Sequence, residues 1–245
     1  MTATRMLRNA LHTFSHTFSP LAIRNMRLYL GGQTISLVGT WMQSTAQAWV
    51  VWQISHSTVD LGVNAMLSLL PFLVLGPWIG SVADRFDRRR LLIATQTVSM
   101  ILAATLALLV QSQTVQLWHV DLLALLLGIV NTLDLPSQQT FIGDLSGKQK
   151  LREAVVLNAM IWQVSRMVGP AFAGWVIGAI GVALTFWLNA LSFIPVIASL
   201  ALVKTDPQPH SRPTTALNDF RQAIRFIRTE PRVQDMLIFT GLAAT

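Results

Sequence analysis

Long apolar runs separated by short polar or charged stretches make up most of the chain. A helix needs about 20 apolar residues to cross a hydrocarbon layer about 30 Å thick. The apolar runs cover 28–53, 61–83, 91–111, 119–142, a stretch that follows the basic loop 148–153, and 183–203. This pattern predicts an all-α membrane protein whose residues 28–203 form a bundle of six membrane-spanning helices.

The segments outside this bundle are polar or short. Residues 1–27 contain no acid and are predicted to be a cytoplasmic tail. Residues 204–232 are predicted to be a cytoplasmic linker. Within this linker a basic amphipathic helix places Phe220, Ile224 and Ile227 opposite Arg221, Arg225 and Arg228. Residues 233–245 begin another apolar stretch that is too short to span a membrane, and we interpret it as the start of a truncated seventh helix.

The first predicted helix carries polar residues at every third or fourth position, so they share one helical face. They are Gln33, Ser36, Thr40, Gln43 and Gln47. Lipid does not solvate such a face, which should therefore point into the bundle. Two interpretations stay open: the face lines a translocation path, or it supplies interhelical hydrogen bonds worth roughly 0.6–2 kcal/mol each.

The fourth and fifth helices carry further polar and charged residues. Asn131, Asp134 and Gln138 share a face of the fourth helix, which Pro136 is expected to interrupt. The fifth helix places three side chains at intervals of four: Asn158, Trp162 and Arg166. Trp162 is a candidate for stacking on an amphipathic substrate.

A charge at the centre of a membrane helix is costly, so Arg166 needs a partner or water. We expect it to pair with Asp134, which is also the candidate for proton coupling, although a static structural pair is an alternative. Desolvation favours the neutral acid and a neighbouring arginine favours the carboxylate, so the sequence leaves the ionisation of Asp134 open.

The distribution of basic residues predicts the orientation of the helices. The formal net charge is +7, but all Lys and Arg except Arg166 lie before 28, after 203 or in the loops around 85–90 and 148–152. Basic residues mark cytoplasmic loops, so the pattern predicts a multi-pass protein of the bacterial inner membrane with a cytoplasmic N-terminus. A nucleic-acid-binding face would not alternate with apolar runs of this length, so we expect no nucleic-acid partner.

Few residues suit metal, nucleotide or nucleophilic chemistry. The chain has no Cys, and its five His lack H-E-x-x-H spacing. It also contains no G-x-x-x-x-G-K-[ST] phosphate loop. We therefore predict no cofactor, no metal site and no enzymatic activity.

The loop after the second helix has the most specific motif in the chain. Gly80, Asp84, Arg85, Arg88 and Arg89 resemble the G-x-x-x-D-R-x-G-R-R loop of the major facilitator superfamily. Asp87 departs from that pattern, because it stands where the family usually has glycine. Further segments resemble the branch of siderophore (enterobactin) exporters and macrolide efflux proteins: 25–27, 39–43, 134–139, 155–158, 166–174 and 188–193.

This resemblance implies a fold, partners and a function. Family members have two six-helix halves, and this chain supplies the first half, so a second half would be a partner together with lipid. The lengths of 28–111 and 119–203 fit an inverted three-plus-three repeat. The implied function is proton-coupled efflux of amphipathic small molecules. Gly169, Pro170 and Gly174 would form a small-residue packing surface. The alternative is a non-transporting remnant or a half-size membrane scaffold that associates with another half.

Overall fold

The computed structural model describes residues 18–83 and 86–203, and these residues are almost entirely helical. A short 3₁₀ turn, Ser19–Ala22, precedes α1, Arg24–Ser55. It is followed by α2, Thr58–Ala83, and α3, Arg88–Gln111. The helical stretch Leu117–Ala179 comes next, and α6, Val182–Leu202, is the last described helix. The predictions for residues 1–17, Asp84, Arg85, the linker 204–232 and the segment 233–245 lie outside the described residues.

The stretch Leu117–Ala179 is broken at Gly147, whose φ of 66° and ψ of 170° are not helical. Glycine adopts positive φ without the steric penalty of a Cβ atom. We therefore treat 117–146 as α4 and 148–179 as α5. The sequence analysis was wrong to place a loop at 148–153, because these residues already form the first turns of α5.

Pro136 does not interrupt α4 as predicted. It lies within a continuous helix, and within Leu117–Ala179 only Gly147 has non-helical backbone angles. The φ of proline is close to that of a helix, so its cost comes mainly from the missing N–H and from crowding of the preceding turn. Membrane helices tolerate such a proline when neighbouring groups satisfy the freed carbonyl.

Asp87, the residue that departs from the loop motif, begins α3. Its side chain accepts a hydrogen bond from the backbone N–H of Arg90 at 2.8 Å. An aspartate in this N-cap position satisfies one of the free N–H groups of the first turn. The residue thus fixes the start of the helix that carries Arg88 and Arg89.

The helices enclose a polar layer between two apolar clusters. α1 packs mainly against α6 and the Leu117–Ala179 stretch, α2 against that same stretch, and α3 against α6. One cluster, near the Arg88 end of the bundle, includes Tyr29, Leu92 and Phe141. The other cluster, toward the opposite end, includes Val50 and Phe186. Most of the buried polar side chains of α1 lie between the two, so the bundle has a polar middle layer with an apolar cluster on each side.

Four helical stretches of the described residues are long and apolar enough to cross a membrane: Thr58–Gly76, Arg88–Gln111, Leu117–Ala179 and Val182–Leu202. α1 is not among them, although it has 32 residues. Its polar stripe lowers its hydropathy, and the side chains of that stripe are buried, or half-buried in the case of Thr40, rather than presented to lipid. The low hydropathy of α1 thus results from its place in the interior.

Candidate polar cavity

A cavity of about 100 Å³ lies in the polar layer. Its wall combines amide, hydroxyl and carboxyl groups with a few apolar side chains from α1, α3, α4, α5 and α6. The lining residues are Gln33, Ser36, Leu37, Thr40, Gln43, Gln96, Ser99, Leu127, Asn131, Asp134, Leu135, Gln138, Trp162, Asn189 and Phe193. Four members of the predicted stripe on α1 therefore face this cavity, whereas Gln47 does not line it.

Asp134 is the one acidic residue that the described part of the chain contributes to that wall, and it is 5% exposed. Its carboxylate accepts a hydrogen bond from Thr95 Oγ1 at 2.5 Å and from Gln96 Nε2 at 3.0 and 3.1 Å. It also accepts one from the side-chain amide of Gln138. All three donors are neutral, so the charge is stabilised by dipoles and not by a cation.

Two short hydrogen-bond chains link this carboxylate to α1. Gln33 Nε2 donates to Gln138 Oε1 at 2.9 Å, and Gln138 in turn donates to Asp134. Ser36 Oγ donates to Gln96 Oε1 at 3.5 Å, and Gln96 also donates to Asp134. A change in the charge of Asp134 would thus act on the polar stripe of α1 through one intervening side chain, Gln138 or Gln96.

The predicted ion pair between Asp134 and Arg166 is not formed. Within 18–83 and 86–203, the ion pair that the structure shows joins Arg88 and Asp144. Arg166 is exposed, and its guanidinium carbon lies 5.4 Å from the ring centroid of Trp41. Trp41 also meets Trp162 edge to face, with the centroids 6.0 Å apart. The prediction failed because neutral donors already occupy the carboxylate and an aromatic ring supports the arginine.

Gln47, the last member of the stripe, belongs to a separate polar chain toward the opposite end of α1. Its Nε2 donates to Asn64 Oδ1 at 2.7 Å, and Asn64 Nδ2 donates to Asp121 Oδ1 at 2.8 Å. This chain joins α1 to α2 and α4. Gln43 also crosses between helices, since its Oε1 accepts from Asn189 Nδ2 of α6 at 2.6 Å. These residues show the interhelical bonding that the sequence analysis left open for the stripe.

Two arginines of the loop motif, Arg88 and Arg89, bind at helix ends. Arg88 makes two hydrogen bonds to the carboxylate of Asp144, at 2.8 and 2.9 Å, and both side chains are partly exposed. Arg89 donates to the carbonyl oxygens of Leu200 and Ala201 at 2.5 Å each. Those carbonyls lie in the last turn of α6, where a cation satisfies free acceptors and complements the helix dipole.

The small residues of α5 differ in their surroundings. A Cβ atom at Gly169 would lie 2.5 Å from Trp41 Cβ and 3.0 Å from the carbonyl oxygen of Val38, so α1 approaches α5 closely here. A Cβ atom at Gly174 would meet nothing within 4 Å among the described residues. Pro170 is partly buried and lies inside the helix. Packing at Gly174 stays a prediction.

Asn158 is partly buried and lies outside the cavity wall. Its Oδ1 is buried and accepts no hydrogen bond from the described residues. Among the described residues, the fifth helix therefore brings Trp162, but neither Asn158 nor Arg166, to the cavity wall.

Comparison with known sequences agrees with this architecture. The profile of the transmembrane secretion effector family, a group within the major facilitator superfamily, matches residues 15–243. The chain belongs to this family. It is 30% identical over 178 residues to the staphyloferrin A transporter of Staphylococcus aureus, covering 72% of this chain and 45% of the relative.

Other transmembrane secretion effector relatives show the same partial coverage. The chain is 25% identical over 215 residues to the enterobactin exporter EntS of Salmonella typhi, covering 85% of this chain and 50% of that protein. It is 23% identical over 170 residues to macrolide efflux protein A of Streptococcus pyogenes, covering 69% and 40%. The chain thus spans about half the length of the curated relatives it matches. No solved structure matched the chain.

Membership of this transporter family and the apolar helices identify a multi-pass membrane protein.

The sequence analysis missed two residues on α3, Thr95 and Gln96, which bind the carboxylate of Asp134. A signal was present, because Thr95 and Gln96 lie four and three residues before Ser99, and all three are polar residues within an apolar run. The spacing rule that identified the stripe on α1 would have found them.

Proposed function

We propose that this chain is the N-terminal half of a proton-coupled secondary transporter that exports amphipathic small molecules, such as siderophores, macrolides or other drugs, and that it has no enzymatic activity. In this proposal the helices make six crossings of the bacterial inner membrane as an inverted three-plus-three repeat. The N-terminus and the end that carries Arg88 face the cytoplasm. A second six-helix half, together with the lipid bilayer, completes the path.

The observation that carries this proposal is the environment of Asp134. A buried carboxylate at a cavity wall that neutral donors hold, with no cation beside it among the described residues, can gain or lose a proton without breaking an ion pair there. Residues of this kind inside membrane segments commonly serve in proton relays. The similarity to the enterobactin exporter EntS and to macrolide efflux protein A supports the efflux class.

Thr95 makes both protonation states of Asp134 compatible with the same side-chain positions. Its Oγ1 lies 2.5 Å from Asp134 and 3.0 Å from the carbonyl oxygen of Leu92. When Asp134 is ionised, the hydroxyl proton of Thr95 points to the carboxylate. When Asp134 is protonated, its O–H donates to Thr95, and the threonine proton turns to Leu92. A proton can therefore bind at this site with only a hydroxyl rotation.

Transport in everted membrane vesicles tests the proposal. The chain is produced together with a polypeptide that supplies six further helices, the C-terminal half of the staphyloferrin A transporter. Uptake of erythromycin and ethidium is measured at pH 6 and pH 8, with and without a proton uncoupler. We expect uncoupler-sensitive uptake that Asp134→Asn reduces at least 10-fold.

Asp144→Asn is the matched control, because it removes the same charge from the same helix and is expected to retain uptake within about 2-fold. Uptake that the uncoupler does not reduce would contradict proton coupling. Absence of uptake with every partner and substrate would favour the alternative of a non-transporting scaffold.

A further inference from the structure

Arg166 has no anionic partner among the described residues, although it lies near the middle of a predicted membrane helix. It lies near the middle of α5, and within 18–83 and 86–203 it makes no ion pair or hydrogen bond. A guanidinium group carries five N–H donors in a fixed fork. Placing such a charged group within a membrane segment is costly unless a partner or water solvates it. The described residues therefore leave both the charge and the donors of Arg166 available.

Trp41 positions this cation without neutralising it. The guanidinium carbon lies 5.4 Å from the Trp41 ring centroid, which is within the range of a cation–π contact. Such a contact attracts the cation to the ring face but does not use its N–H donors in hydrogen bonds. The indole N–H of Trp41 is also buried without an acceptor among the described residues. This pair of side chains has several donors and no acceptor.

Trp162 connects Arg166 to the cavity. It contacts the edge of Trp41, lines the cavity and lies one helical turn before Arg166, about 6 Å along α5. The cavity of about 100 Å³ holds only a small part of a drug-sized molecule. An apolar portion seated against Trp162 would thus leave the remainder of the molecule beside the exposed Arg166.

We infer that Trp41, Trp162 and Arg166 form a binding subsite for the anionic group of an amphipathic small molecule, such as a carboxylate or sulfonate joined to an aromatic body. The aromatic body packs on Trp162, and the anion accepts hydrogen bonds from the guanidinium fork, which suits planar oxyanions. This inference rests on the proposed function, because it names the class of molecule that the transporter would take. It predicts preference for anions over neutral molecules of the same shape.

Two probes with nearly the same aromatic body test this preference by binding alone. 1-Anilinonaphthalene-8-sulfonate carries a sulfonate, and N-phenyl-1-naphthylamine lacks it. Binding to the full chain in nanodiscs is measured by equilibrium dialysis, with empty nanodiscs subtracted. We expect the sulfonate to bind at least 10-fold more tightly than the neutral amine.

Substitutions then assign the preference to a residue. Arg166→Gln is expected to weaken sulfonate binding at least 10-fold and to change amine binding less than 2-fold, which also shows that the cavity is intact. Arg166→Lys should retain part of the preference, because it keeps the charge and loses the planar fork. Arg90→Gln is the matched control: it removes the same charge at the exposed start of α3 and should leave both probes unchanged.

Three results would overturn the inference. They are equal binding of the two probes, equal weakening by Arg166→Gln and Arg90→Gln, and loss of amine binding in parallel with sulfonate binding. Because the assay needs no transport, its failure is separate from that of the proposed function. Uncoupler-sensitive uptake without sulfonate preference would reject only the subsite, whereas sulfonate preference without uptake would reject only the transporter.

Discussion

Two aspartates ten residues apart on α4 have opposite surroundings. Asp144, at the Arg88 end of the bundle, is bound by a guanidinium at 2.8 Å and is partly exposed. Asp134, about 15 Å further inside, is buried among neutral hydroxyl and amide donors. A charge paired with a fixed countercharge tends to keep its ionisation, whereas a charge held by dipoles can be removed without stranding a partner. One helix thus carries a structural carboxylate at its end and an adaptable carboxylate in its interior.

After loss of the Asp134 carboxylate itself, we expect the largest effect from removing the hydroxyl group of Thr95. Thr95→Val removes a hydrogen bond to an ionised acceptor, worth about 1.5–3 kcal/mol. We therefore expect uncoupler-sensitive uptake in vesicles to fall by about 10-fold or more. Thr95→Ser keeps the hydroxyl and should restore most of it. Thr97→Val, which removes a hydroxyl bound only to the backbone of Ile93, is the matched control. Equal uptake by Thr95→Val and Thr97→Val would contradict a special role for Thr95.

The next effect tests how closely α1 and α5 pack at Gly169. Gly169→Ala forces a methyl group against Trp41 and the backbone of α1, and overpacking of this kind costs about 1–3 kcal/mol. Gly174→Ala meets open space among the described residues and should change stability by less than about 0.5 kcal/mol. Thermal unfolding in detergent, followed by tryptophan fluorescence, measures both. Equal destabilisation would show that α1 does not depend on the close approach at Gly169.

The smallest effect is expected at the paired aspartate. Arg88→Gln and Asp144→Asn each break a partly exposed ion pair, for which about 0–1 kcal/mol is typical. The exchanged double variant Arg88→Asp with Asp144→Arg should recover the stability lost in the single variants, as the same unfolding measurement would show. A loss well above 2 kcal/mol in either single variant would mean that this end of α4 is as sensitive as its interior, and the contrast between the two aspartates would fail.

The inward direction of the α1 stripe was predictable, because lipid excludes amides and the spacing of Gln33, Ser36 and Gln43 puts them on one face. The sequence analysis placed a loop at 148–153, whereas the break between α4 and α5 lies at Gly147, just before that segment. A basic segment suggests a loop, whereas one glycine with positive φ suffices to end one helix and begin another. The local sequence shows charge and spacing, but it does not show that one glycine is enough for the turn between α4 and α5.

The partner of Asp134 could not be predicted from charge alone. Attraction between Asp134 and Arg166 is the simplest expectation in a membrane, where desolvated charges seek each other. The structure instead uses Thr95 and Gln96 of α3, which approach only because of the tertiary packing of α3 against α4. Neither donor stands out in the sequence by itself. That both bind the same carboxylate can be seen only once the helices are packed together.

The single-residue connection at Gly147 has a mechanical consequence. With no loop between α4 and α5, the adjoining ends of the two helices are held one residue apart. Asp134 on α4 and Arg166 on α5 therefore lie on two helices that share a single-residue joint at Gly147. Lengthening that joint by a few flexible residues would let the adjoining ends of α4 and α5 move independently.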